Sequence, residues 1–232
     1  MCLAARTLFT RALMSMSTIL DAFSVLEDRK LVYARYRENP MSNAPLTLQM
    51  PSPPDPVAVV LNPATTALLI FDIVDPICTR QPNCTGRMVP AISSLLTRAR
   101  KAGVTVAYGT RAPTMSKWLP EVLPTPGDIK IESKAQDRFY NTDLDRALKA
   151  KGITTLILTG RKVSGSVTYT SVGATLRGYT VVVPIDASLD ATDFEVAIGL
   201  YQILHQHSSN ATNEPLKDKA STLTRTDLIT FK

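Results

Sequence analysis

From Thr65 onward, short apolar runs alternate with stretches whose apolar residues return every three or four positions. Ala67 to Phe71 is unbroken apolar sequence of strand length, the pattern of a strand covered on both faces. Val89, Ile92, Leu95, Leu96 and Ala99 then fall on one helical stripe, and Gly103 supplies a residue suited to ending it. Val104 to Tyr108 reads as a second strand. The proline-rich stretch from Ala112 to Gly127 is long for a connection and is expected to act as a lid or wall. Ile129 to Glu132 reads as a short strand. Asp143 to Ala150 reads as a helix carrying Leu144, Ala147 and Leu148, capped by Thr142 or Asp143. Thr154 to Leu158, Ser166 to Leu176 and Thr180 to Pro184 form a further strand, helix and strand. Phe194, Ala197, Ile198, Tyr201 and Leu204 mark a last helix, and Asp227 to Phe231 a last strand.

This alternation predicts an α/β fold of three layers, α/β/α, around a central, mostly parallel sheet. Right-handed crossovers place the strand C-termini along one edge, where such sheets bind ligands. The domain is expected over residues 63–232. Residues 1–62 read as an extension ending in the Pro51 to Pro56 linker. Met1 to Leu20 holds Arg6 and Arg11, no acid, and several Ser and Thr, which is transit-peptide composition. The favoured reading is a poorly ordered N-terminus or an over-long start upstream of Met14, Met16 or Met41, with a targeting peptide and a docking arm, Ser17 to Tyr36 having an amphipathic helical pattern, as the alternatives.

Composition narrows the classes. A hydrophobic content of 44% with 20% charged residues is that of a globular domain able to bury a core. The net charge of +6 is dispersed, without the basic-aromatic clustering of a nucleic-acid face, and no apolar run is long enough for a membrane span. Three cysteines, Cys2, Cys78 and Cys84, are too few and scattered for a disulfide framework. Cys78 and Cys84 are expected as buried or semi-buried thiols, in a reducing compartment.

Asp72 directly follows the first apolar run, so a poorly solvated carboxylate of raised pKa, fit for acid or base work, competes with a plain turn cap. Lys134, after the short strand, is either a surface lysine or a cation beside Asp72. Gly160 and Gly165 bracket a loop that opens a helix at Ser166, where backbone N–H groups can gather around negative charge. No G-x-G-x-x-G and no G-x-S-x-G surrounds it, which removes a dinucleotide fingerprint and a hydrolase elbow. His205 and His207 are the only histidines, spaced by two near a helix end, and do not read as a metal pair.

Taken together, Ala67 to Asp72, Lys134 with Phe139 to Leu144, and Leu158 to Gly160 running through Ser166 to Thr170 and on to Gly178, Tyr179, Asp186 and Ala187 resemble the isochorismatase-like (cysteine hydrolase) superfamily. The resemblance covers roughly Pro63 to Phe231. It implies a three-layer fold, often oligomeric, and a pocket in which Asp72, Lys134 and Ser166 are the catalytic set. It also implies substrate or oxyanion contacts from Lys162, Val163 and Gly165, and a non-proline cis peptide near Lys162–Val163. Two departures stand out. Ser166 occupies the position of the usual nucleophilic cysteine, and Lys134 lies about one residue closer to Phe139 than in many members. The expected function is hydrolysis of an amide, ureide or vinyl-ether bond in a small organic substrate, with Asp72 as acid/base. The alternative is an inactive member that serves as a binding or assembly module. No cofactor, metal, nucleic acid or membrane is expected, and a homo-oligomer in the cytoplasm is, or in an organelle if residues 1–20 are a transit peptide.

Overall fold

The computed structural model describes residues 55–111, 117–206 and 221–232. The expectations for the N-terminal extension up to residue 54, and for His207, lie outside the described residues. The strands are β1 (Val59–Leu61), β2 (Thr66–Phe71), β3 (Val74–Asp75), β4 (Thr105–Thr110), β5 (Lys117–Trp118), β6 (Ile129–Glu132), β7 (Thr155–Gly160), β8 (Thr180–Pro184), β9 (Ser221–Thr224) and β10 (Ile229–Phe231). The helices are α1 (Val89–Lys101), α2 (Leu144–Ala150), α3 (Thr168–Leu176) and α4 (Asp193–His205).

Six strands make one sheet in the order β6-β4-β2-β7-β8-β9, parallel throughout. The chain starts in the middle at β2, builds outward through β4 and β6, then returns to the other side of β2 as β7, β8 and β9. The reversal leaves a switch point between β2 and β7, and crevices of this kind open beyond the strand C-termini.

Alternation along the strands divides the core by face. Leu68, Ile70, Val106, Tyr108, Ile157 and Val182 meet the α1 stripe of Ile92, Leu95, Leu96 and Ala99. Their neighbours Ala67, Leu69, Phe71, Leu156, Leu158, Val181 and Val183 face Leu144, Leu148, Val167, Ala174, Leu200 and Ile203 from the other helices. All six β2 residues are buried, so a run without polar interruption is what this position requires. Thr192 and Glu195 form a reciprocal cap that starts α4.

Several elements depart from expectation. Ser166 does not open an α-helix: it lies inside a π-helical turn, Val163–Val167, and α3 begins after it. Inside the expected long loop, β5 pairs antiparallel with β3, and Pro120–Val122 forms a 3-10 turn. The last apolar run does not join the main sheet. It forms β10, which pairs with β1, a strand inside the expected extension, while the sixth place in the sheet goes to β9. β9 reads Ser-Thr-Leu-Thr, with no apolar run to announce a strand. Its burial comes from lying against β8. Cys78 and Cys84 are buried as expected but joined in a disulfide rather than left as thiols.

Candidate active site

Three strand ends build the site. Asp72 follows β2, Arg111 follows β4 and Arg161 follows β7, and the register pairs Phe71 with both Gly109 and Gly160. Asp72 takes a left-handed backbone conformation with φ of 54°, which Asp tolerates at a cost of about 1 kcal/mol. Its N–H still donates to the Gly109 carbonyl at 3.0 Å. β7 can come this close only because residue 160 is glycine. Its φ is 117°, and a Cβ there would sit 2.2 Å from the Phe71 carbonyl oxygen. That approach lets Arg161 N–H donate to the same oxygen at 3.1 Å. The peptide bond that follows, Arg161–Lys162, is the non-proline cis bond, one residue earlier than expected.

The cation beside Asp72 is Arg138, not Lys134. Lys134 has an exposed side chain and does not line the cavity. Arg138 is only 1% exposed and is the largest fully buried side chain among the described residues. Its Nη2 donates to Asp72 Oδ2 and, at 3.0 Å, to Ser166 Oγ. Its Nη1 donates to the carbonyls of Ser133 at 2.9 Å and Ala135 at 3.1 Å, and its guanidinium lies over the Phe71 ring. The planar fork of arginine can serve a carboxylate, a hydroxyl and two carbonyls at once, which an ammonium cannot match in geometry. Phe139 anchors the same segment in the core, and the short Lys134-to-Phe139 spacing was the one signal in the sequence that the cation lies elsewhere.

Ser166 lies beside the same carboxylate. Its Oγ is 3.1 Å from Asp72 Oδ2 and 3.1 Å from Gln136 Oε1. The single hydroxyl proton serves one of these acceptors at a time, while Arg138 occupies a lone pair. Asp72 Oδ1 accepts the Arg111 N–H at 3.0 Å. Burial raises the Asp72 pKa above its ordinary value, against the lowering effects of Arg138, Arg111 N–H and Ser166. The same burial lowers Arg138, and its pairing with Asp72 opposes that. The result is a carboxylate whose charge is costly but tightly held.

The expected backbone anion site is otherwise engaged. Val163 N–H donates to the Leu189 carbonyl at 3.1 Å, and Gly165 N–H to the Lys162 carbonyl at 3.2 Å. Ser164 N–H goes to Asp190 Oδ2 at 3.1 Å. α4 holds this turn in place: a Cβ at Gly199 would sit 2.8 Å from Ser164 N. Lys162 does line the cavity, and its ammonium pairs with Glu195 at 2.8 Å and Asp190 at 3.4 Å.

The cavity holds about 380 Å³ and is lined by Asp72, Ile77, Arg111, Gln136, Arg161, Lys162 and Ser166. That is room for a small organic molecule. Among the described residues no cluster of His, Cys, Asp and Glu could hold a metal ion, and no helix is long and apolar enough to cross a membrane.

The chain is similar to several known proteins. The ureidoacrylate amidohydrolase of Methylobacterium radiotolerans is 26% identical over 190 residues, covering 61% of this chain and 73% of that enzyme. An uncharacterised isochorismatase family protein of Escherichia coli is 28% identical over 152 residues, covering 55% of this chain and 81% of its own. The solved structure of an isochorismatase family protein from Burkholderia thailandensis shares the fold with a TM-score of 0.60 and 22% identity, over 74% of this chain and 96% of that one. The family model for the isochorismatase domain matches residues 66–208, and the chain belongs to that family.

Proposed function

We propose that the protein hydrolyses the C–N bond of a small amide or ureide, with Asp72 as acid/base, Arg138 as the fixed cation and Ser166 as an orienting group. The observation that carries this reading is the buried contact of Asp72, Arg138 and Ser166 at the floor of the cavity. The similarity to an enzyme named ureidoacrylate amidohydrolase supports the choice of bond.

Serine and water hydroxyls are of similar acidity, so Asp72 can serve either as base; in this proposal Ser166 is instead tied into the floor, with Gln136 as well as Asp72 within its reach. The hydroxyl also accepts from Arg138, which draws electron density from its oxygen. Water is therefore the nucleophile in this proposal. Asp72 takes a proton from water as its oxygen bonds to the carbonyl carbon. The protonated carboxyl then returns that proton to the departing nitrogen as the C–N bond breaks. A raised pKa suits both halves of that cycle.

The test compares Asp72→Asn with Ser166→Ala on a panel of primary amides and N-carbamoyl compounds. The first should lose turnover by about three orders of magnitude or more, and the second should keep a substantial fraction. A covalent adduct on Ser166 seen by mass spectrometry, with Ser166→Ala inactive, would overturn the water route. A second reading, a binding module without turnover, is favoured by the absence of the usual thiol. It predicts ligand-dependent thermal stabilisation with no product from any substrate.

A further inference from the structure

The cavity carries more positive charge than its floor uses. Asp72 is matched by Arg138, and Lys162 is matched by Glu195 and Asp190. Arg111 and Arg161 remain. Both line the cavity, and neither has a carboxylate partner among the described residues. They flank Asp72 from the two strands on either side of β2, because each is the first residue beyond its own strand. The Arg111 charge is close enough to be felt by Arg138.

Arg161 is also held in place. Its Nε donates to Gln81 Oε1 at 2.6 Å, which leaves the terminal nitrogens of the fork for another acceptor. Gln81 lies inside the loop closed by the Cys78–Cys84 disulfide, and Ile77 beside that loop lines the cavity. Gln81 N–H donates to Cys78 O and Cys84 N–H to Gln81 O, both at 2.9 Å, so the loop is bonded on itself around this residue. A neutral partner that orients a guanidinium without neutralising it is what an anion-binding arginine needs.

We infer that Arg111 and Arg161 form a clamp for a carboxylate on the substrate, so that the protein acts on an anionic amide or ureide acid and discriminates against its neutral counterpart. The bond broken rests on the proposed hydrolase reading; the anion clamp does not. Arginine forks meet a planar carboxylate with paired, charge-assisted hydrogen bonds. With the acid held at the rim, the rest of a small substrate extends over Asp72 and Ser166. Gln81 is a positioning residue in this scheme, acting through Arg161.

The experiment uses a matched pair, N-carbamoylglycine and its neutral primary amide, N-carbamoylglycinamide. Calorimetric binding and turnover are both measured on the full chain. The acid should bind at least about tenfold more tightly than the amide, since a site built for a charged group strongly rejects its uncharged analogue. That preference should fall to about one in the Arg111→Gln/Arg161→Gln double variant, with thermal unfolding confirming that the variant is folded. Added salt should weaken the acid and leave the amide unchanged. Gln81→Ala, which keeps both charges, should raise KM for the acid severalfold while kcat stays level. Tighter binding of the acid without product from either compound would remove the hydrolase reading and keep the clamp. An acid that binds no better than its amide, or more weakly than inorganic phosphate, would overturn the clamp whatever is turned over.

Discussion

Replacing Arg138 by Met removes the donors that hold Asp72 and Ser166 and leaves the carboxylate without its counter-charge. Asp72 is 6% exposed, so water cannot replace what is lost. Breaking a buried pair from one side costs about 3–5 kcal/mol when the remaining group stays charged. Asp72 has an escape: it can protonate. Its pKa in the folded protein is already raised by burial, and the largest opposing influence is Arg138. Without Arg138 it should climb further. A carboxyl whose pKa is higher folded than unfolded favours folding below its unfolded value, and that benefit is lost as pH rises through the folded value. The penalty of Arg138→Met should therefore be near its full size at pH 8 and smaller at pH 5, each relative to the native chain at the same pH. Urea unfolding at the two pH values measures it. The double variant Asp72→Asn/Arg138→Met should recover much of the loss, because neither member is then a lone buried charge. A penalty equal at both pH values, with no recovery in the double variant, would mean that Arg138 acts only by filling space.

Because burial raises Asp72, kcat/KM should rise with pH along a limb lying above the ordinary carboxylate range; full activity retained down to about pH 4 would contradict its role as base. Gly160→Ala places a Cβ against the Phe71 carbonyl in a conformation with φ of 117°, and should cost about 3 kcal/mol or more in chemical denaturation. Cys78→Ser/Cys84→Ser opens a small loop, with a sequence separation of 6, and should cost about 2 kcal/mol while raising KM for the anionic substrate by freeing Gln81 and Arg161. Ser166→Cys should bring a covalent acyl intermediate, visible by mass spectrometry with amide substrates, if the remaining machinery is intact.

The sequence by itself determined the layered architecture and the two ends of the polar site. Strands β2, β6 and β8 and helices α1 and α4 are legible because burial on a sheet or helix face demands apolar residues at fixed spacing, and that spacing survives in one dimension. Asp72 is legible for a related reason, since it stands where such a pattern stops, and Ser166 through the family resemblance of the segment around it. Tertiary structure alone decided that Arg138, in a segment with no periodicity, is buried while Lys134 remains exposed. It also decided that β9 and β10 part company, since hydrogen-bond partners along a sheet edge are chosen by space rather than by composition. The same holds for the charges. Arg111 and Arg161 look like ordinary surface cations along the polymer. They become a pair only because β4 and β7 both lie against β2 and end level with Asp72.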